Sequence, residues 1–215
     1  MRASERRKRL EAAQLYLICP AKPRKHDLAT LVEAALRGGV DMVQLREKSL
    51  PDDEVLAAAE VCRQLCQRFG ALLWINDRPD LALAAGADGV HVGQDDLPPR
   101  AVRRIVGNDL LVGLSTHSPQ QLERALREPV DEISVGPVFA TPTKPGRPAA
   151  GLAYVRHAAR HASGRPWFAI GGIDRASVQS VVTAGAHRIA VVRAICDADD
   201  PERAASELRS ALGRR

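Results

Sequence analysis

Three segments of this chain echo one another: Gly38-Gly39-Val40-Asp41-Met42-Val43-Gln44-Leu45, Ala85-Gly86-Ala87-Asp88-Gly89-Val90-His91-Val92 and Ala184-Gly185-Ala186-His187-Arg188-Ile189-Ala190-Val191. In each, a glycine stands where a helix would end, a small residue follows, and an apolar strand begins. The spacings between Gly39, Gly86 and Gly185 correspond to about two and about four units of roughly 24 residues, a natural length for one strand plus one helix. Placing the remaining units around these three gives eight.

The strands are predicted at 15–19, 41–46, 71–75, 89–92, 110–114, 132–135, 167–170 and 188–192. The helices are predicted at 27–37, 52–69, 79–85, 98–106, 152–161, 175–183 and 201–212, with a further one opened by Ser118 as N-cap, Pro119 in first position and Gln121 closing a capping box. Short apolar strands alternating with amphipathic helices imply a parallel sheet. Eight units with no leftover segment imply a single (β/α)8 TIM barrel over residues 15–215, preceded by a short basic extension, residues 1–14. A doubly wound sheet with two extra units is the alternative. In both, function belongs at the C-terminal ends of the strands.

Hydrophobic residues make up 45% of the 215, enough to fill such a core, and with aromatics at 3% that core is aliphatic. The formal charge of +5 points to anionic partners. That charge is scattered, with no basic run interleaved with aromatics, so small phosphorylated molecules fit better than nucleic acid. Arg6-Arg7-Lys8-Arg9 is the minor nucleic-acid candidate, on an arm read as frayed and partly helical from Met1 to Ala13. Cys19, Cys62, Cys66 and Cys196 match neither a zinc site nor a disulfide framework and read as buried thiols of a cytoplasmic protein. No apolar run approaches the ~18 residues of a membrane span. The basic start lacks the apolar stretch of a signal peptide. Assembly of identical chains is compatible with the sequence.

The strand ends carry the chemistry. After the second strand come Gln44-Leu45-Arg46-Glu47-Lys48; period two puts Gln44, Arg46 and Lys48 on one face, the barrel interior, with Val43 and Leu45 against the helices. A surface salt bridge to Glu47 is the bland alternative. Asn76-Asp77 follows the third strand and Gly93-Gln94-Asp95-Asp96 the fourth. Two carboxylates at adjacent strand ends suit Mg2+, though helix capping by Asp77 and Asp96 would need no metal. Ser115 and His117 follow the fifth strand; Ser115 can donate into the mouth, no histidine–acid pair is recognisable around it, and His91 reads as a core polar residue. Thr141, Pro142, Thr143 and Lys144 lie in a proline-stiffened loop after the sixth strand. Gly171-Gly172-Ile173 follows the seventh and Val192-Arg193 the eighth, where barrels commonly bind phosphate.

Five of these motifs, Gln44-Leu45-Arg46-Glu47-Lys48, Asn76-Asp77, Gly93-Gln94-Asp95-Asp96, Thr141-Pro142-Thr143-Lys144 and Gly171-Gly172-Ile173, together resemble thiamine phosphate synthase, over Leu15 to Ile195. The resemblance implies that an aminopyrimidine diphosphate loses diphosphate to the nitrogen of a thiazole phosphate. It implies Mg2+ on Asp77 and Asp96. It assigns the pyrimidine diphosphate to Gln44, Leu45, Arg46, Glu47, Lys48, Asn76, Ser115 and Lys144, of which Arg46, Lys48, Ser115 and Lys144 would be catalytic. It assigns the thiazole phosphate to Thr141, Pro142, Thr143, Gly172, Val192 and Arg193. The family usually has serine where this chain has Arg193. The related thiazole tautomerase, with His117 as its acid–base group, and a non-catalytic phosphate-binding barrel are the alternatives.

Overall fold

The computed structural model describes residues 1–141, 148–162 and 164–213. Eight parallel strands close into a barrel in sequence order: β1 (Leu15–Cys19), β2 (Met42–Leu45), β3 (Leu72–Asn76), β4 (Gly89–Val92), β5 (Leu111–Thr116), β6 (Glu132–Val135), β7 (Trp167–Ile170) and β8 (Ile189–Val191), with β8 pairing back onto β1. The doubly wound alternative is thereby excluded. Outside lie α2 (Leu28–Arg37), α3 (Asp52–Phe69), α4 (Pro79–Ala84), α5 (Pro99–Val106), α6 (Pro119–Ala125), α7 (Gly151–His161), α8 (Val178–Thr183) and α10 (Pro201–Ala211); α1 (Ala3–Ala12) and the short α9 (Arg193–Cys196) complete the elements.

Period two sorts the strand residues into two cores. Leu17, Val43, Leu73, Val90, Val112, Ile133, Ala169 and Val191 face the helices and fill the layer between barrel and helices. Tyr16, Met42, Leu72, Trp74, Leu111, Phe168 and Ala190 fill the barrel itself. Tyr16 packs edge-on to Phe168 at 5.5 Å between ring centroids and tilted against Trp74 at 6.1 Å. These three rings occupy the lower barrel and leave the upper layer to polar side chains.

The echo has a structural cause beyond the helix end. Gly39, Gly86 and Gly185 all have positive φ (96°, 60° and 103°), the turn that a side chain resists. The aspartates of the motif then tie adjacent strands at the bottom of the barrel. Asp41 Oδ2 accepts the N–H of Leu15 at 3.0 Å, Asp88 Oδ2 that of Leu73 at 3.0 Å, and Asp131, which precedes β6, that of Val112 at 2.9 Å. Each also meets an arginine: Asp41 with Arg209 at 2.7 Å, Asp88 with Arg6 at 2.9 Å, and Asp131 with Arg103 at 2.6 Å and Arg7 at 3.2 Å.

Two of those arginines belong to α1, which corrects the reading of residues 1–13 as a frayed arm. The helix lies across the bottom of the barrel with Leu10 and Ala13 buried against its interior side chains. Arg188 Nε donates to the carbonyl of Ala13 at 3.0 Å and Arg188 Nη2 to that of Glu11 at 2.8 Å. The basic run is largely consumed inside the chain, with Arg9 paired to Glu5 as well.

Helix starts follow the sequence signals. Asp27 caps α2 by accepting from the N–H of Thr30 at 2.9 Å, and that hydrogen bond, with other N–H groups of the turn, holds its carboxyl below the usual carboxylate range. Asp27→Ala removes the cap and is expected to lower the urea midpoint with an unchanged slope. At α6, Ser118 accepts from Gln121 N–H, whereas Gln121 Oε1 accepts from the N–H of His117 at 2.7 Å, one residue before the cap. No helix among the described residues is long and apolar enough to cross a membrane. All four cysteines are buried and free.

Candidate active site

A cavity of about 370 Å3 opens at the C-terminal end of the barrel. Gln44, Arg46, Asn76 and Ser115 line one side of it, from β2, β3 and β5. Thr141, Gly172, Val192 and Arg193 line the other, from the ends of β6, β7 and β8. Motifs scattered along the chain thus meet at one mouth because parallel strands all deliver their C-terminal ends to the same face. Pro142, Thr143 and Lys144 lie outside the described residues.

Gln44 is fixed from below. Its Nε2 donates to Tyr16 Oη at 2.6 Å, which turns the amide oxygen toward the mouth. Burial pushes the Tyr16 phenol well above its ordinary pKa, reinforced by the Glu132 carboxylate, so Tyr16 stays a neutral support. Asn76 Nδ2 is buried and has no hydrogen-bond partner of normal geometry among the described residues, although the amide lies close enough to Asp77 to favour its carboxylate. A buried amide donor at a cavity wall is costly unless a ligand takes the hydrogen bond. Arg46 and Arg193 both line the cavity, from strand ends separated by β1 alone, and neither has an ion pair among the described residues.

Beside the cavity, the turns after β3 and β4 bring Asp77 and Asp96 together. Asp77 has φ of 62°, the one described residue other than glycine in the left-handed region. Its side chain lies close to that of Asp96 and forms an ion pair with Lys48 Nζ at 3.0 Å. Burial raises the Asp96 carboxyl, with Asp77 adding to the shift against the opposing N–H of Gly93. Burial opposes ionisation of Asp77 too, but the neighbouring Lys48 and Asp96 side chains outweigh that and leave its pKa lowered. Two carboxyls held side by side form a site where a cation can offset both charges. No group of three or more His, Cys, Asp or Glu side chains forms a metal cluster among the described residues. A two-carboxylate donor set is the kind that suits Mg2+, which completes its shell with water and phosphate oxygens. Capping does not account for the pair, since α4 and α5 have Arg78 and Pro98 in their N-cap positions and no side-chain cap.

Two residues of the second-strand motif depart from the expected picture. Leu45 is buried in the outer core, so its side chain faces the helices and only its backbone is near the mouth. Glu47 does not pair with the Lys48 ammonium. Its Oε1 accepts from the N–H groups of Lys48 and Ser49 and from the Ser49 hydroxyl, at 2.8, 3.1 and 3.0 Å. Burial works against the Glu47 charge, these donors outweigh it, and the carboxylate shapes the loop that presents Lys48.

On the other side, the loop leaving β6 lies over the end of β7. Val138 N–H donates to the carbonyl of Ile170 and Phe139 N–H to that of Gly171, at 2.8 and 2.9 Å. A Cβ on Gly171 would sit 2.5 Å from Pro137, and one on Gly172 would sit 2.8 Å from Phe139. The glycines are therefore required by loop packing as well as by backbone approach to an anion. Just beyond, α9 begins at the mouth, an element too short to read from hydrophobic periodicity. His117 is held by Nδ1–H donating to the carbonyl of Gly136 at 2.6 Å.

The sequence reading missed one group. Ser115 does have a histidine–acid pair: His91 Nε2 lies 2.9 Å from Ser115 Oγ, and His91 Nδ1 lies 3.0 Å from Glu132 Oε2. The available signal was register across strands rather than period along one. His91, Gly113 and Glu132 are direct partners in β4, β5 and β6.

A closed parallel barrel whose mouth joins unpaired cations, a carboxyl pair and a glycine-backed loop defines a (β/α)8 enzyme that handles phosphorylated small molecules. The profile of the thiamine monophosphate synthase family matches residues 15–195. A thiamine-phosphate synthase of Saccharopolyspora erythraea is 54% identical over 214 residues, covering 96% of both chains. One of Thermus thermophilus is 55% identical over 201 residues, covering 93% of this chain and 97% of its own. The solved thiamine phosphate pyrophosphorylase of Pyrococcus furiosus superposes with a TM-score of 0.86 at 32% identity, over 96% of each chain. The chain belongs to the thiamine monophosphate synthase family. It is a transferase that makes thiamine phosphate in thiamine biosynthesis.

Proposed function

We propose that this chain condenses 4-amino-2-methyl-5-hydroxymethylpyrimidine diphosphate with 4-methyl-5-(2-hydroxyethyl)thiazole phosphate, releasing diphosphate. The observation that carries this reading is two arginines lining one cavity, neither with an ion pair among the described residues, beside a carboxyl pair at its edge. An isomerase such as the thiazole tautomerase has no diphosphate to release and no use for that pair.

In this reading Gln44, Arg46, Asn76, Ser115 and Lys144 hold the pyrimidine diphosphate, with Lys48 and the Leu45 backbone contributing from the loop that Glu47 braces. Thr141, Pro142, Thr143, Gly172, Val192 and Arg193 hold the thiazole phosphate. Arg193 adds a cation where the family usually has serine and leaves the backbone N–H groups available. Asp77 and Asp96 would hold Mg2+, which supplies charge neutralisation to the departing diphosphate when bound. The aminopyrimidine stabilises a methylene cation, so the C–O bond can break before the C–N bond forms. Arg46, Lys48 and Lys144 then stabilise charge that develops on the leaving group. The attacking thiazole nitrogen carries no proton, so no general base is needed. Buried thiols and the absence of an apolar membrane-spanning helix among the described residues support a cytoplasmic setting. Pairing of Arg6, Arg7 and Arg9 within the chain supports small molecules rather than nucleic acid as partners.

The test is release of diphosphate from the two substrates together, with and without Mg2+. Release is expected only with both substrates, and to stop in excess EDTA. Full release in EDTA would remove the metal from the reading. Lys144→Ala is expected to lower turnover by ~10²-fold, on the scale of losing one oriented donor to a developing anion; wild-type turnover would place Lys144 outside the site.

A further inference from the structure

We infer that Glu132 and His91 are positioning residues that act on the reaction through Ser115. The inference rests on Ser115 lying at the reacting centre. Glu132 is fully buried, and its two oxygens are both engaged: Oε1 accepts from the Ser134 hydroxyl at 2.9 Å, Oε2 from His91 Nδ1–H at 3.0 Å. That second bond fixes the ring and its tautomer. Nε2 then faces Ser115 Oγ at 2.9 Å. With Nδ1–H committed to Glu132, Nε2 accepts from the Ser115 hydroxyl, which keeps one partner and one place and turns its oxygen toward the cavity. Without the ring it would rotate freely about its C–O bond. The same order of groups activates a serine nucleophile elsewhere; in this cavity it holds the Ser115 oxygen in one orientation toward the bound substrate, so that no reorientation is needed as the reaction proceeds.

Gly113 is the space the pair needs. It lies between His91 and Glu132 in register, and a Cβ there would sit 2.2 Å from Glu132 Oε2 and 2.4 Å from His91 Nδ1. Three adjacent strands therefore give up a side chain in the middle to let the outer two meet. A carboxylate buried in the barrel interior has no packing reason to be there.

The test is a double-mutant cycle on kcat. Glu132→Gln keeps the shape but presents an amide donor to two groups that already donate. It is expected to lower kcat by about 10- to 100-fold, the scale of losing an outer partner that orients a histidine, with KM for both substrates changed little. In a Ser115→Ala background the same change is expected to cost no more than about twofold. An equal loss in both backgrounds would overturn the inference and leave Glu132 a purely structural residue. Wild-type kcat in Ser115→Ala would instead remove Ser115 from the reacting centre, a separate failure. If Glu132→Gln does not fold, two substitutions of the ring decide. His91→Gln retains a polar atom near the Nε2 position, and His91→Asn one near Nδ1. His91→Gln should keep the higher kcat; equal values, or the reverse order, would overturn the inference.

Discussion

Asp77→Gly is expected to lower turnover by about 10³-fold, the upper end for loss of one preorganised electrostatic contact, while leaving the melting temperature unchanged or slightly raised. The two halves of this result have separate causes. Asp77 holds the left-handed conformation at φ of 62°, which costs a residue with a side chain ~1 kcal/mol or more and glycine almost nothing. Glycine loses more freedom on folding, by roughly 0.5–1 kcal/mol, so the two effects nearly cancel. The Lys48 partner is more than half exposed, so losing that ion pair contributes little to stability. The backbone N–H of residue 77 still donates to the carbonyl of His91. What disappears is the carboxylate beside Asp96 and Lys48, and with it the proposed means of holding a cation against the departing diphosphate. A variant that keeps wild-type turnover and responds normally to EDTA would show that the strained aspartate serves the turn alone. A large fall in melting temperature would show that strain is not what this position stores.

How much of this was legible depends on the distance over which each signal acts. The barrel was readable because the echoed glycines punctuate single units, and each unit is local. The direction of function followed from it, since parallel strands end on one face; Gln44, Arg46, Asn76 and Ser115 arrive there by that rule alone. The aspartates of the echo were visible, but their task was not, because the N–H groups that Asp41 and Asp88 bind belong to other strands. His91 and Glu132 were read one strand at a time, as a core histidine and the start of an apolar strand. Their meeting depends on register across three strands and on a glycine between them, and hydrophobic alternation does not encode register between strands separated by helices. The thiol reading was local in the same way: Cys62 and Cys66 lie one turn apart on α3, and both are buried as expected.

The first residues show the same limit most plainly, and they carry the largest stability effect expected here. In α1 the large apolar side chains reduce to Leu10, so no amphipathic stripe marks the helix as docked. Its partners are the strand-bottom carboxylates, tens of residues away. Deleting residues 1–12 should cost about 3–6 kcal/mol. The fully buried Leu10 alone accounts for ~2–5 kcal/mol by analogy with Leu→Ala changes in cores. The rest comes from Asp88 and Asp131, each only 13–14% exposed, which would lose Arg6 and Arg7, and from Arg188, which would lose the carbonyl of Glu11. Asp131 keeps Arg103, so Asp88 bears the larger share of the lost pairing. The active mouth is at the opposite end of the barrel, so kcat measured well below the melting temperature should stay within about twofold, since contacts this far apart are close to independent. A urea midpoint equal to that of the full chain would mean that α1 does not close the barrel in solution. A midpoint that falls together with kcat would mean that the interior rings clustered with Leu10, Tyr16 among them through its bond to Gln44, transmit the loss to the site.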